Sequence, residues 1–327
     1  MQADPFDPAR LTPEVLAVLT GMAASGAPAL ESLPIAEMRQ AYLQVGALLG
    51  GEPMPVGQIL ELQAAGPAGP IPLRLYLPRT GTAPYATTVY LHGGGWSLGD
   101  LDSHDKVCRR LVHTAGCAVV AVDYRRAPEH PAPAGPDDVV AAVRWIAAQA
   151  PELGLDASRL AVAGDSAGGS LAAVACQQLH GSEVALRAQV LFYPATDLSP
   201  AGDAFDSRRR NGAVPPLTLE AMQAMSGPFL CNGFDTRDPR VSPRLAADLR
   251  GLPPALIITA QCDALLDDGR LYRDALNEAG VPVEYIEYPG MIHGFIEMAG
   301  VLPAARTAME QAAAFLGVHL DPAASRA

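Results

Sequence analysis

The sequence predicts an α/β fold: a mostly parallel central sheet flanked by helices, with a helical cap. Three observations carry that expectation. Short unbroken runs rich in Val, Ile and Leu recur at residues 87–91, 118–122, 160–163, 188–193 and 255–259, the pattern of strands covered on both faces. Stretches of helical character alternate with them, at 105–114, 137–149, 167–180, 268–279 and 304–316. That alternation builds a parallel sheet with helices on both sides. Finally, the 327 residues are 49% hydrophobic and 18% charged, enough apolar material for one large core and too much for a disordered chain.

In chain order, the first segment reads as helical. Thr12 precedes an apolar face at Val15, Leu16, Val18 and Leu19, and a second stretch at 35–49 follows Pro34. From residue 58 the period changes to alternation. Residues 58–63 and 71–77 read as strands, and the Gly/Pro-rich stretch 66–70 between them suggests an antiparallel hairpin. The strand–helix alternation follows, with a final strand at 283–288. Residues 196–250 interrupt it with Gly, Pro, Asp, an Arg208-Arg209-Arg210 run and a helical stretch near 217–230. The expected division is an N-terminal helical cap segment at 1–55 and a catalytic domain at 56–327. A second cap insertion is expected at about 196–250. Arg208–Arg210 could meet an anionic substrate, but a solvated loop is the better reading.

Composition excludes several function classes. With 23 basic and 35 acidic residues the net charge is −12, which leaves no basic footprint for nucleic acid. Lys106 is the only lysine and the arginines are scattered, so a polybasic membrane patch is not expected. No apolar run reaches the roughly 18 residues of a membrane span. The start, Met1-Gln2-Ala3-Asp4-Pro5-Phe6, lacks the basic and apolar regions of a secretory signal, so a cytoplasmic location is expected. The five cysteines are widely spaced without a CxxC pair, as suits reduced, mostly buried thiols. No H-E-x-x-H and no histidine pair at helical spacing beside a carboxylate is present, so neither a metal nor a cofactor is expected.

The sharpest local signal is Gly164-Asp165-Ser166-Ala167-Gly168, a G-x-S-x-G sequence between an apolar strand and an Ala-rich helix. That is the strand–turn–helix setting of a nucleophile elbow, where flanking glycines remove side chains that would collide. A second signal, His92-Gly93-Gly94-Gly95-Trp96, directly follows the strand at 87–91. Consecutive glycines let backbone N–H groups face a cavity, as an oxyanion requires; taken alone, a flexible turn would explain them. A serine nucleophile needs a base, and the base an orienting acid. Of seven histidines, His113, His180 and His319 have ordinary helix or tail positions. His130 lies near prolines and His104 near a helix start. His293 sits just beyond the last strand, where loops gather at the sheet's carboxyl edge. Asp263 follows the strand at 255–259, whereas Asp267 and Asp268 suit the helix start. The chain order Ser166, Asp263, His293 is that of α/β-hydrolases.

His92-Gly93-Gly94-Gly95-Trp96, Asp123-Tyr124-Arg125-Arg126-Ala127-Pro128-Glu129-His130-Pro131 and Gly164-Asp165-Ser166-Ala167-Gly168-Gly169 together resemble the bacterial hormone-sensitive-lipase-like (family IV) carboxylesterases. The similarity spans residues 70 to 316, and the helical N-terminus suits that family's cap. It implies Ser166 as nucleophile, Asp263 as acid and His293 as base. It further implies an oxyanion hole at the amides of Gly94, Gly95 and Ala167, a preference for short- to medium-chain acyl esters, and often a homodimer. Two positions depart from the family pattern: Asp263-Ala264-Leu265 stands for the usual Asp-Pro-Leu, and Arg126 for a common leucine. The same machinery would serve an amide, carbamate or lactone. A receptor-like fold without catalysis, or an acyltransferase, are further alternatives. Trp96, Phe205 and Phe229 are candidates for the acyl or alcohol pocket, though core packing explains them equally well. If His293 is the base, kcat/KM is expected to rise through a pKa of about 6.5–7.

Overall fold

The computed structural model describes residues 3–321. Eight strands form one sheet in the order β1-β2-β4-β3-β5-β6-β7-β8. They are β1 (Gln58–Gly66), β2 (Gly69–Leu77), β3 (Tyr85–Leu91), β4 (Ala118–Val122), β5 (Leu155–Asp165), β6 (Leu186–Phe192), β7 (Ala255–Cys262) and β8 (Val283–Ile292). β1 and β2 pair as the expected hairpin, with Gly66 opposite Gly69, and β2 runs antiparallel to β4. All pairings from β4 through β3 to β8 are parallel.

The apolar runs became strands because both sheet faces are covered. Successive side chains point to opposite faces, so β3 sends Val89 and Leu91 to one core and Tyr90 to the other. β7 divides likewise, Ile257 to the first and Leu256 and Ile258 to the second. The first core is closed by α4 (Ala134–Gln149), α5 (Ala167–Leu179) and α8 (Leu266–Glu278), through Val139, Val143, Leu171 and Leu276. The second is closed by α3 (Asp105–Ala115) and α9 (Pro303–His319), through Leu111, Ala308 and Phe315.

The first helix, α1 (Pro13–Ala24), begins where Thr12 caps it, its Oγ1 accepting from the Val15 N–H at 3.4 Å. After it comes α2 (Ile35–Leu49), with the bounds that Pro34 and the apolar pattern predict. Arg39 of α2 donates to the carbonyls of Ser97 and Ala127, both at 2.9 Å, and pairs with Glu129. The segment after β6 holds α6 (Asp206–Asn211) and α7 (Leu219–Leu230). α7 lies on the glycine loop after β3: Ser97 Oγ donates to the Met225 carbonyl at 2.7 Å, and a Cβ on Gly95 would strike the Met225 side chain.

The expectation of a solvated Arg208–Arg210 run is corrected in part. Arg210 is exposed, but Arg208 is 2% exposed and pairs with Asp268 at 2.8 Å. Asp268 also departs from its expected role: it stands in the first turn of α8, yet its carboxylate accepts from the Thr196 and Asp197 amides rather than from its own helix. A buried carboxylate draws donors from wherever the fold supplies them.

Candidate active site

Ser166, between β5 and α5, has φ 56° and ψ −120°, a conformation a non-glycine residue holds only where its surroundings impose it. Those surroundings are glycine and backbone. A Cβ on Gly168 would collide with the carbonyl oxygen of Leu91 at the end of β3, so the helix can pass the strand this closely only with glycine there. The Ser166 N–H donates to Phe192 O at 2.8 Å, tying the turn to β6.

The structure brings Ser166, Asp263 and His293 together from three strand ends. The His293 ring spans the two others: Nε2 is 2.9 Å from Ser166 Oγ and Nδ1 is 2.7 Å from Asp263 Oδ2. Asp263 is 1% exposed, and its other oxygen accepts from the Leu265 N–H at 2.8 Å, while Asn211 Nδ2 donates to its carbonyl at 2.8 Å. Alanine in place of proline at 264 therefore leaves the carboxylate held by the next amide. Ser166 and His293 are 8% and 9% exposed, so approach from solvent is narrow.

Gly94, Gly95 and Ala167 lie on the loop after β3 and at the first position of α5. Gly94 has φ 110° and its Cβ position is 2.6 Å from Leu98 backbone, so glycine is required there twice over. The Gly94 carbonyl accepts from the Ser97 and Leu98 amides at 3.1 and 2.8 Å, which closes the loop. His92 braces its start: the ring stacks on Tyr124 at 4.3 Å, and Nδ1 meets the Gly93 carbonyl at 2.8 Å. Burial pushes the His92 pKa down to about 3, so the ring is neutral and Nδ1–H donates. Trp96 and Phe229 stack at 4.8 Å and 5° beside this loop. Phe205 instead lies between the guanidinium groups of Arg208 and Arg244, at 6.0 and 5.5 Å.

Below the serine lies a buried cluster that the sequence did not announce. Asp165 accepts from Tyr90 Oη at 2.8 Å and from the Gly93 N–H at 3.1 Å, with His104 Nε2 at 3.3 Å. Glu297 completes the group, 3.9 Å from His104 Nε2. His104, Asp165 and Glu297 present ligand atoms within 4.8 Å of one another, a spacing that could hold a cation. The protein supplies one itself. Burial lowers the His104 pKa, but the charges of Asp165 and Glu297 outweigh it and raise the pKa to about 9. Burial pushes Glu297 up to about 7. His104 had only a helix-start position to recommend it; a glutamate amid the apolar Phe295–Met298 segment was the available signal.

The His104 pKa lies above its unfolded value of 6.5, so the stability it contributes is complete below 6.5 and is lost as pH rises through about 9. His104→Gln is therefore expected to lower the thermal midpoint most at pH 6, with the difference from the parent shrinking by pH 9.5. Melting curves at the two pH values check this, and an equal deficit at both would refute it.

Comparison with known proteins shows the family and the fold. Residues 88–297 match the model of a family described as having an alpha/beta hydrolase fold. The carboxylesterase NlhH of Mycobacterium tuberculosis is 45% identical over 247 residues, 73% of this chain and 75% of that one. The chain belongs to the hormone-sensitive-lipase-like α/β-hydrolases. Within the family, an ethyl acetate hydrolase of Pseudomonas putida is 36% identical over 95% of this chain and 99% of its own. Among solved structures, an ester hydrolase from the Lake Arreo metagenome, complexed with a derivative of bipyridine phosphonate, superimposes with a TM-score of 0.89. It is 40% identical, over 94% of this chain and 99% of that one. A hyperthermophilic esterase of Pyrobaculum calidifontis gives 0.86 at 36% identity, over 94% and 98%. Among the described residues, no helix of this family member is long and apolar enough to cross a membrane.

Proposed function

We propose that the protein hydrolyses short- to medium-chain acyl esters through Ser166, His293 and Asp263 and an acyl-enzyme intermediate. The protein is a carboxylic ester hydrolase, and the observation that carries the finer reading is the single imidazole within 3 Å of both a strained serine and a buried aspartate. His293 Nε2 takes the Ser166 proton as Oγ attacks the ester carbonyl, and Asp263 holds Nδ1–H, which sets the tautomer and stabilises the imidazolium. The N–H groups of Gly94, Gly95 and Ala167 receive the oxyanion; one such donor is worth on the order of 10²–10³ in kcat. The imidazolium then gives its proton to the leaving alkoxide. Water, deprotonated by the same ring, attacks the acyl-serine, and the serine recovers its proton as the acid leaves.

Residues 1–55 and 196–250 act as the cap over the strand ends. Supporting this, Arg39 reaches the loops at Ser97 and Ala127, and α7 rests on the glycine loop through Met225. The narrow approach to Ser166 and the Trp96–Phe229 stack favour a short acyl chain. With p-nitrophenyl esters from acetate to dodecanoate, kcat/KM is expected to peak between acetate and octanoate and to fall about tenfold or more at dodecanoate. A maximum at dodecanoate, or faster cleavage of the matching anilide, would overturn this reading.

A further inference from the structure

The His293 ring is held at its two nitrogens, Nδ1 by Asp263 at 2.7 Å and Nε2 by Ser166 at 2.9 Å. The two contacts define an axis through the two nitrogens. They leave the ring plane free to tilt, which turns the Nε2 lone pair away from Oγ, and free to shift along its normal, which moves Nε2 itself off the line.

A third contact restrains those motions. The ring of Tyr193 lies 4.6 Å from the His293 ring, inclined at 57°, and also meets Phe295 at 5.7 Å. Tyr193 is fully buried. It follows the last residue of β6 and takes φ 36°, a region that a bulky side chain adopts only when neighbours dictate it. Its N–H donates to Ile258 O of β7 at 2.6 Å, which anchors the backbone in that turn. Among the described residues its hydroxyl has no hydrogen-bond partner. A buried hydroxyl without a partner disfavours the folded state, so no bond by that hydroxyl holds the side chain here, and what reaches His293 is the ring.

We propose that Tyr193 is a positioning residue, whose aromatic ring sets the tilt of the His293 imidazole between Asp263 and Ser166 and favours its cationic form. The second effect is part of the proposal: a cation over the face of an aromatic ring, within about 6 Å of its centroid, is attracted to the ring quadrupole, and a neutral imidazole much less so. The ring thus helps most when His293 carries the serine's proton, which is when the transition state forms. The other titratable groups facing the imidazole are Asp263 at the end of β7 and Glu297 in the turn after His293. Asp165, Tyr42, Glu297 and Asp263 face Tyr193 itself. All stay in place in the variants below.

The proposal rests on His293 as the base, and its failure is distinguishable from failure of that reading, which an inactive parent enzyme would signal. Three variants, Tyr193→Phe, Tyr193→Leu and Tyr193→Met, are assayed on p-nitrophenyl butyrate from pH 5 to 9. Tyr193→Phe keeps the ring and should retain kcat within about twofold, with the acid limb of the kcat/KM profile unmoved. The leucine and methionine variants should lose about tenfold or more in kcat with KM within about twofold. Their acid limb should move to lower pH, because the imidazolium has lost a stabilising neighbour. Unchanged kcat and limb in a folded leucine or methionine variant overturns the proposal. So does a loss in Tyr193→Phe equal to theirs, since that would assign the effect to the hydroxyl. If the leucine variant does not fold, methionine, unbranched and long enough to fill the gap, carries the test.

Discussion

Replacing Ser166 with alanine is expected to lower kcat on p-nitrophenyl butyrate by about 10⁴–10⁶-fold while leaving the fold intact. The hydroxyl has one structural partner of consequence, His293 Nε2 at 2.9 Å; removing it leaves a ring that still holds Asp263 at 2.7 Å. The strained backbone at φ 56° is imposed by the Phe192 carbonyl and the glycines around it, not by the hydroxyl. Alanine is no more strained there than serine, so the thermal midpoint should shift by no more than about 2 °C. Purified parent and variant are compared in one assay with thermal melts alongside. Activity that survives in folded Ser166→Ala would end the reading of Ser166 as nucleophile and, with it, the role given to the amides beside it.

The largest expected effect on stability lies behind Asp263. Arg208, its side chain 3% exposed, pairs with the fully buried Asp268 at 2.8 Å and donates to the carbonyl of Ala264, the residue after Asp263. Asp268 also accepts from the Thr196 and Asp197 amides at 2.9 and 3.2 Å, and Asp197 in turn pairs with Arg244. The pair thus joins the start of the 196–250 segment to α8 and to the turn that carries Asp263. Arg208→Met leaves a buried carboxylate without its cation, which typically costs about 3–5 kcal/mol.

That cost should depend on pH. Burial raises the Asp268 pKa to about 6, against the opposing pull of Arg208. Its folded value lies above the unfolded 3.8, so its contribution to stability is complete below 3.8 and declines as pH climbs through 6. Without Arg208 the carboxyl rises further and a larger decline is spread over a wider range. The deficit of Arg208→Met is therefore expected to be smaller at pH 5 than at pH 8, as read from urea unfolding at each. Equal deficits would show that the ion pair is not what the variant lost.

The strands and the principal candidate site residues were legible because their signals are local. β4 and α2 appear with the bounds expected from apolar runs and Pro34, since a strand covered on both faces must be apolar at nearly every position. The elbow and the glycine loop were legible for a steric reason: close passage of α5 past β3 demands glycine at 168, and the turn at 94 demands it again. Asp263 and His293 could be placed because the carboxyl ends of parallel strands gather on one edge whatever the details. The boundaries of β5 and β8 were less legible. β5 starts several residues before its apolar run, where polar Ser158 and Arg159 reach solvent while the ladder continues to Leu155. β8 runs on through the buried Met291 and Ile292, and Ile292 pairs with β7 beyond a register shift.

What local pattern could not carry is the identity of buried charged partners. Arg208 sits in a run of three arginines that reads as a solvated face, and His104 in what reads as an ordinary helix start. The first meets Asp268, 60 positions away, and the second meets Asp165, 61 positions away. Tyr193 reads as the end of an apolar strand, and nothing in its neighbourhood along the chain points to His293, from which 100 positions separate it. The order of elements, the reaction class and the residues of the elbow follow from sequence, because steric and apolar requirements act between near neighbours. Which charges are buried, what neutralises them and what braces the imidazole follow from the tertiary structure. A buried charge or ring is fixed by whatever the fold brings within a few ångströms, and that set is defined only once the whole chain has closed on its core.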